Sequence, residues 1–186
     1  MKLEEIAGVI IAVIQEAGLP FMVVGGLSSN VYSIARSTKD VDIVIRLESP
    51  GQLRRIEELL PARFRFDPQV TFEGITGDIR HIIHVEGTPF VIELFELPGD
   101  DAFQLQRFDR RREIVLATLN VTAPIPTAED VVVQKLRWGR PKDIEDVRGI
   151  LTVQGPALDY AHIEAWCGKL NILDRYHAVR ATVPEI

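Results

Sequence analysis

The stretch Phe21-Met22-Val23-Val24-Gly25-Gly26, followed after thirteen residues by Asp40-Val41-Asp42-Ile43, constrains the fold more than any other part of the chain. A short unbroken apolar run reads as a strand buried on both faces. The glycine pair ends that strand sharply, and Leu27 to Ala35 then places Leu27, Val31 and Ile34 on one side of a helix. Asp40 to Leu47 is rich in β-branched residues and reads as a second strand. Side chains alternate faces along a strand, so Asp40 and Asp42 project together while Val41 and Ile43 point the other way.

Two neighbouring carboxylates repel, which raises the proton affinity of one of them unless a cation sits between them. Hard divalent cations such as Mg²⁺ suit this arrangement, taking one or two carboxylates plus the oxygens of a substrate phosphate. Taken alone, Asp-x-Asp reads equally as a solvated strand end or as a cap for a neighbouring helix. The glycine pair adds the other half of a site. Glycine at a strand-to-helix turn lets a phosphate approach the backbone, and the helix behind it offers free N–H groups and a favourable dipole. Ser28 and Ser29 stand where they would add hydroxyl donors.

The rest of the chain supplies the frame. Residues 3 to 17 form an amphipathic helix closed by Gly18, and Ser49 is placed to cap a helix over 50–60. The segment 63–97 reads as β structure, with a hairpin of Ile79–Val85 and Pro89–Leu97 around Glu86-Gly87. Arg107 to Arg112 is the densest basic run, a solvated edge or a contact for RNA or phosphate, and leads to a strand over 114–119. Ala123-Pro124-Ile125-Pro126 reads as a linker, after which only helices follow: one over 128–138 capped by Thr127, one over 142–151, and more from Pro156 onward. The division is thus an α/β core over residues 1–122 and a small helical domain over 123–186.

Composition bounds the function. Of 186 residues, 46 % are hydrophobic and 26 % charged, which excludes a disordered chain. The net charge of −6 gives no basic surplus for a duplex groove. The apolar run 6–14 is too short to span a bilayer and follows Glu4 and Glu5, so no membrane is expected. A lone cysteine, Cys167, cannot form an intrachain bridge and fits a cytoplasmic, reducing setting as a buried structural thiol. His81 and His84 are three apart in a strand and face opposite ways, so they do not share a metal.

Val24-Gly25-Gly26, thirteen residues, then Asp40-Val41-Asp42-Ile43 resembles the signature of the nucleotidyltransferase superfamily that includes DNA polymerase beta. With Arg36, Thr38, Lys135, Leu136, Arg140, Lys142, Asp143 and Asp146, the chain is similar to the bacterial minimal and AbiEii-type nucleotidyltransferases. The resemblance implies a mixed sheet flanked by helices, in the α/β (α+β) class. It implies Mg²⁺ (or Mn²⁺) and a nucleoside triphosphate. The reaction would move a nucleoside monophosphate to an acceptor hydroxyl with release of pyrophosphate. The acceptor is left open among tRNA, a protein hydroxyl and a small molecule such as an antibiotic, and the setting as toxin–antitoxin or phage defence. Asp40 and Asp42 would be the catalytic, metal-binding pair, and Glu93, inside Ile92-Glu93-Leu94, the third carboxylate, although the superfamily more often has Asp there. Gly25, Gly26, Ser28 and Ser29 would hold the triphosphate. Lys135 is read as reaching phosphate oxygens, in which case Lys135→Ala weakens triphosphate binding at little cost in stability, or as a solvated helix face; Arg140 is read as serving phosphate or acceptor or as pairing with Asp143 or Asp146. The other outcome is a catalytically silent, antitoxin-like member that binds a nucleotide or a partner protein.

Overall fold

A computed structural model describes residues 1–117 and 119–184. Eight helices surround a mixed sheet and a separate two-stranded ribbon among these residues. The chain opens with α1 (Leu3–Glu16), whose Ile6, Ile10 and Ile14 lie a helical turn apart and are wholly buried. Gly18, at φ +71°, turns the chain into β1 (Phe21–Val23). Then follow α2 (Gly25–Tyr32), β2 (Asp40–Ile45) and α3 (Pro50–Leu59). The second helix starts on the glycine pair itself and ends three residues earlier than the apolar spacing suggests. Asn30 exchanges side-chain hydrogen bonds with the backbone of Arg36, which folds the chain away from the helical path.

The strands β3 (Phe64–Phe66), β4 (Thr71–Phe72), β5 (Ile79–Val85) and β6 (Val91–Glu96) complete the sheet. Its order is β1-β2-β6-β5-β3, with β4 also paired to β5. Every pairing is antiparallel except β2 with β6, which run parallel at the centre. One face of the sheet buries Val41, Ile43, Ile45, Ile83, Ile92 and Leu94 in a core shared with α1 and α3. The other face is apolar only near Met22, Val24 and Val44, where Phe108 covers it. Elsewhere that face is polar and carries the site.

Two expectations for the middle of the chain are corrected. Residues 102–109 form a helix, α4 (Ala102–Asp109), N-capped by Asp101. It takes Arg107 out of the supposed solvated edge and leaves that side chain 3 % exposed among Gln104 and Gln134. Arg110 pairs with the buried Asp130, and Arg111 lies over the Phe108 ring. The supposed linker at 123–126 is mostly strand: β7 (Arg112–Leu116) and β8 (Val121–Ile125) pair as a ribbon, with Ala123 and Ile125 buried in the main core. Pro124 is tolerated there because a two-stranded ribbon leaves one side of each strand without ladder bonds.

Thr127 caps α5 (Ala128–Trp138) as its position suggests, its hydroxyl accepting from the Asp130 N–H. Gly139, at φ +67°, ends that helix, and α6 (Pro141–Gln154), α7 (Tyr160–Lys169) and α8 (Leu173–Arg180) follow. Val132, Leu136, Val147, Ile150, Ile163, Cys167 and Tyr176 make a second apolar core among these helices. Tyr32 ties this region to α2, its hydroxyl donating to Pro126 O at 2.9 Å and its carbonyl accepting from Gln154. No helix among the described residues is long and apolar enough to cross a membrane.

Candidate active site

The parallel pair fixes the acids. Asp42 stands directly beside Glu93 in the β2–β6 register, and Asp40 beside Val91. Pleat alternation therefore puts Asp40, Asp42 and Glu93 on one face of two adjoining strands. Glu96 points to the opposite face, where its carboxylate lies 2.7 Å from His81 Nε2. His84 meets Asp67 instead, so the two histidines do face apart.

The three acids line a cavity of about 160 Å³ together with Gly25, Gly26, Arg80, Lys135, Trp138 and Arg140. Burial, and then the charges of Glu93 and Asp40, push the Asp42 carboxyl up to about 6, against the pull of Lys135 and Lys142. Among the described residues no three Asp, Glu, His or Cys side chains converge closely enough to hold an ion as they stand. Both Glu93 oxygens accept from Arg80 Nη1, at 3.2 and 3.3 Å. The donor set nevertheless fits a hard divalent cation. It offers only oxygen ligands, neither aspartate has an ion pair among the described residues, and the repulsion raising Asp42 is what such a cation relieves.

The glycine turn lies against these acids. Gly25 has φ +64°, and a Cβ there would overlap the Asp42 carboxylate. A Cβ on Gly26 would come 2.8 Å from Thr38 Oγ1. Glycine is thus required twice over, by conformation and by the close approach of β2. Ser28 and Ser29 do not line the cavity. Both are buried, and both hydroxyls donate to the Gly25 carbonyl, at 3.1 and 2.9 Å. They brace the turn from behind, and their donors point into the protein rather than towards a ligand.

Opposite the acids stands a wall of cations held by α5 and α6. Lys135 is 3 % exposed and donates to Asp143 at 3.1 Å and Asp146 at 2.7 Å. Asp146 also takes a two-pronged contact from Arg36, at 2.6 and 2.8 Å. Burial works against the Asp146 charge, but the Arg36 and Lys135 hydrogen bonds hold its carboxyl below the ordinary range. Arg140 donates to Asp143 at 2.5 Å, with its guanidinium 4.7 Å from the centre of the Trp138 ring. The solvated reading of Lys135 therefore falls, and so does the expectation that Lys135→Ala leaves the melting temperature nearly unchanged, because this lysine is buried between two carboxylates. Arg140 both pairs with Asp143 and lines the cavity. Lys142 reaches the same cavity, is exposed, and has no ion pair among the described residues.

Arg80, Glu73 and Trp138 line the cavity and are not evident from the motif. Arg80 left one signal in the sequence, a lone arginine in a strand that hairpins against the strand holding Glu93. Cys167 is wholly buried, and burial pushes its thiol up to about 12, as a structural rather than reactive cysteine would show.

The model of the family described as nucleotidyltransferase of unknown function, DUF6036, matches residues 2–164, and the chain belongs to that family. The family is one of nucleotidyltransferases, and the protein is thus a transferase. No curated protein matches it in sequence. Among solved structures it is similar to ANT(2'')-Ia in complex with adenylyl-2''-tobramycin, at 17 % identity and TM-score 0.61 over 93 % of this chain and 98 % of that one. It is also similar to an antigenic nucleotidyltransferase-like protein from Paracoccidioides brasiliensis, at 17 % identity and TM-score 0.56 over 98 % and 95 % of the two chains. Both share its fold.

Proposed function

We propose that the protein transfers a nucleoside monophosphate from a nucleoside triphosphate to an acceptor hydroxyl, releasing pyrophosphate with Mg²⁺ or Mn²⁺ bound. The observation that carries this is the register placing Glu93 beside Asp42, on the face of Asp40 and across the cavity from Lys135 and Arg140. A divalent cation held by Asp40, Asp42 and Glu93 would offset charge on the phosphoryl oxygens in flight. Gly25 and Gly26 line the cavity, where their backbone would lie against the triphosphate at the first turn of α2. Lys142 and Arg140 meet its outer phosphates, Lys135 holding that wall in place through Asp143 and Asp146. A cavity carboxylate accepts the proton of the attacking hydroxyl, the new P–O bond forms at the α-phosphorus, and pyrophosphate leaves.

The acceptor we infer is a small, positively charged polyhydroxy compound. A cleft of about 910 Å³ opens beside the ends of β5 and β6 and shares no lining residue with the site cavity; a small apolar pocket lined by Asp78, Phe95, Glu96 and Trp138 touches both. The cleft lining holds Asp78, Glu96, Asp100 and Asp101 against two basic residues, Arg137 and Lys169. The tobramycin adduct seen with ANT(2'')-Ia supports the same class. A cytoplasmic location goes with a triphosphate substrate and an unbridged Cys167.

The test is incubation with each α-³²P nucleoside triphosphate, Mg²⁺, and separately an aminoglycoside panel, total RNA and lysate protein. Label on an aminoglycoside with pyrophosphate release, lost in Asp42→Asn, is the expected result. Label on RNA or protein instead would place the enzyme in toxin–antitoxin or phage-defence chemistry. Nucleotide binding with no pyrophosphate under any condition would mark a silent, antitoxin-like member and refute the transfer.

A further inference from the structure

Arg80 sits on β5 opposite Phe95, diagonal to Glu93 and on the same sheet face. Its Nε donates to Thr71 Oγ1 at 3.0 Å, and that hydroxyl donates to the Arg80 carbonyl at 3.1 Å. The base of the guanidinium is therefore pinned to β4, while its outer end reaches into the cavity. There Nη1 alone spans both Glu93 oxygens, at 3.2 and 3.3 Å. This is not the two-nitrogen fork that makes arginine–carboxylate pairs strong. The other paired cations of the cavity, Arg36, Lys135 and Arg140, are bound to Asp143 and Asp146. Among the described residues only Arg80 pairs with one of the three acids.

We propose that Arg80 is a built-in counter-ion that competes with the divalent cation for Glu93, and that loading of the site frees its guanidinium to bind a phosphate of the nucleotide. This rests on the metal-dependent reading above. Without a cation, three acids on one face need a countercharge, and Arg80 supplies it to Glu93. A divalent cation takes carboxylate oxygens at much shorter range than 3.2 Å and displaces the one nitrogen that spans them. The freed Nη1 then stands in the same cavity as Gly25 and Gly26. Metal and nucleotide thereby favour each other's binding, as linkage requires.

The experiment measures Mn²⁺ binding to the full chain by the electron paramagnetic resonance signal of free Mn²⁺, first without nucleotide. Arg80→Gln should bind Mn²⁺ about three- to tenfold more tightly than the unaltered protein. In a Glu93→Gln background the same change should have no effect, because the competition is gone. At saturating Mn²⁺, Arg80→Gln should bind α,β-methylene ATP more weakly, the opposite sign from its effect on the metal. A merely structural arginine would not give opposite signs. Unchanged or weaker Mn²⁺ binding in Arg80→Gln overturns the proposal alone, as does a gain that persists with Glu93→Gln, which would be plain charge repulsion through space. An unaltered protein that binds no Mn²⁺ overturns the metal-dependent reading and this proposal with it. Should Arg80→Gln fail to fold, Arg80→Lys, which keeps the charge but not the Nη1 placement, is read with the same expected sign.

Discussion

Replacing Asp42 by Asn should make the metal-free protein more stable while disabling the site. The carboxyl is raised from 3.8 to about 6 by burial and by the charges of Glu93 and Asp40. A carboxyl whose folded value lies above its unfolded one resists folding when ionised. Its cost is fully present above about pH 6, shrinks as the pH falls through that value, and is gone below 3.8. The full difference corresponds to about 3 kcal/mol. Water still reaching the side chain reduces that to about 1–2 kcal/mol. For a chain of this length the gain is a melting temperature about 3–6 °C higher for Asp42→Asn at pH 7.5 in chelator. The assay is differential scanning fluorimetry at pH 7.5 and pH 4, each with EDTA and with Mg²⁺. The gain should vanish at pH 4, and Mg²⁺ should raise the melting temperature of the unaltered protein more than that of the variant. A variant that melts at or below the unaltered protein at pH 7.5, or keeps its advantage at pH 4, would refute the reasoning.

Gly25→Ala should lose Mn²⁺ binding as well as the ~1–2 kcal/mol of left-handed strain, because the new methyl displaces Asp42; Gly18→Ala, equally left-handed but facing open space, should lose stability alone. Lys135→Met leaves Asp143 with Arg140 and Asp146 with Arg36 as their remaining partners and should cost about 1–3 kcal/mol, read as a melting temperature fall of several degrees. Glu93→Gln should weaken Mn²⁺ binding, whereas Glu96→Gln, facing His81 on the far side of the sheet, should leave it unchanged. Iodoacetamide at pH 8 should leave Cys167 unlabelled in the native protein and modify it on unfolding.

What was legible in the chain was local. The glycine pair, the alternation of Asp40 and Asp42 and the glutamate set between Ile92 and Leu94 each follow from residues close together. The hairpin from Ile79 to Glu96 was legible for the same reason. The helix at 102–109 was hidden because its buried positions include Gln104 and Arg107, polar side chains that break the apolar period and hydrogen-bond to Gln134 on α5. The β8 strand was hidden by its proline, which signals a loop wherever the ladder on both sides must be filled. Lys135 was readable as a phosphate ligand or as a solvated helix residue, since only the pairing of α5 with α6 shows that Asp143 and Asp146 enclose it. Ser28 and Ser29 looked like ligand donors because the sequence does not reveal that their partner is the carbonyl at Gly25.

The single parallel pairing at the centre of the sheet also sets when function appears during folding. Hairpins such as β5–β6 close over a few residues, and α1 forms within itself. Asp42 meets Glu93 only after the intervening chain, with α3 and three strands, has folded back across the sheet. Loops of that length close late and slowly compared with local contacts. In a refolding experiment the far-ultraviolet signal of the helices should therefore return before the capacity to bind Mn²⁺. A chain released early from its folding path would look helical and compact yet have no working site, so divalent-ion binding is a stricter measure of correctly finished protein than any spectroscopic count of its helices.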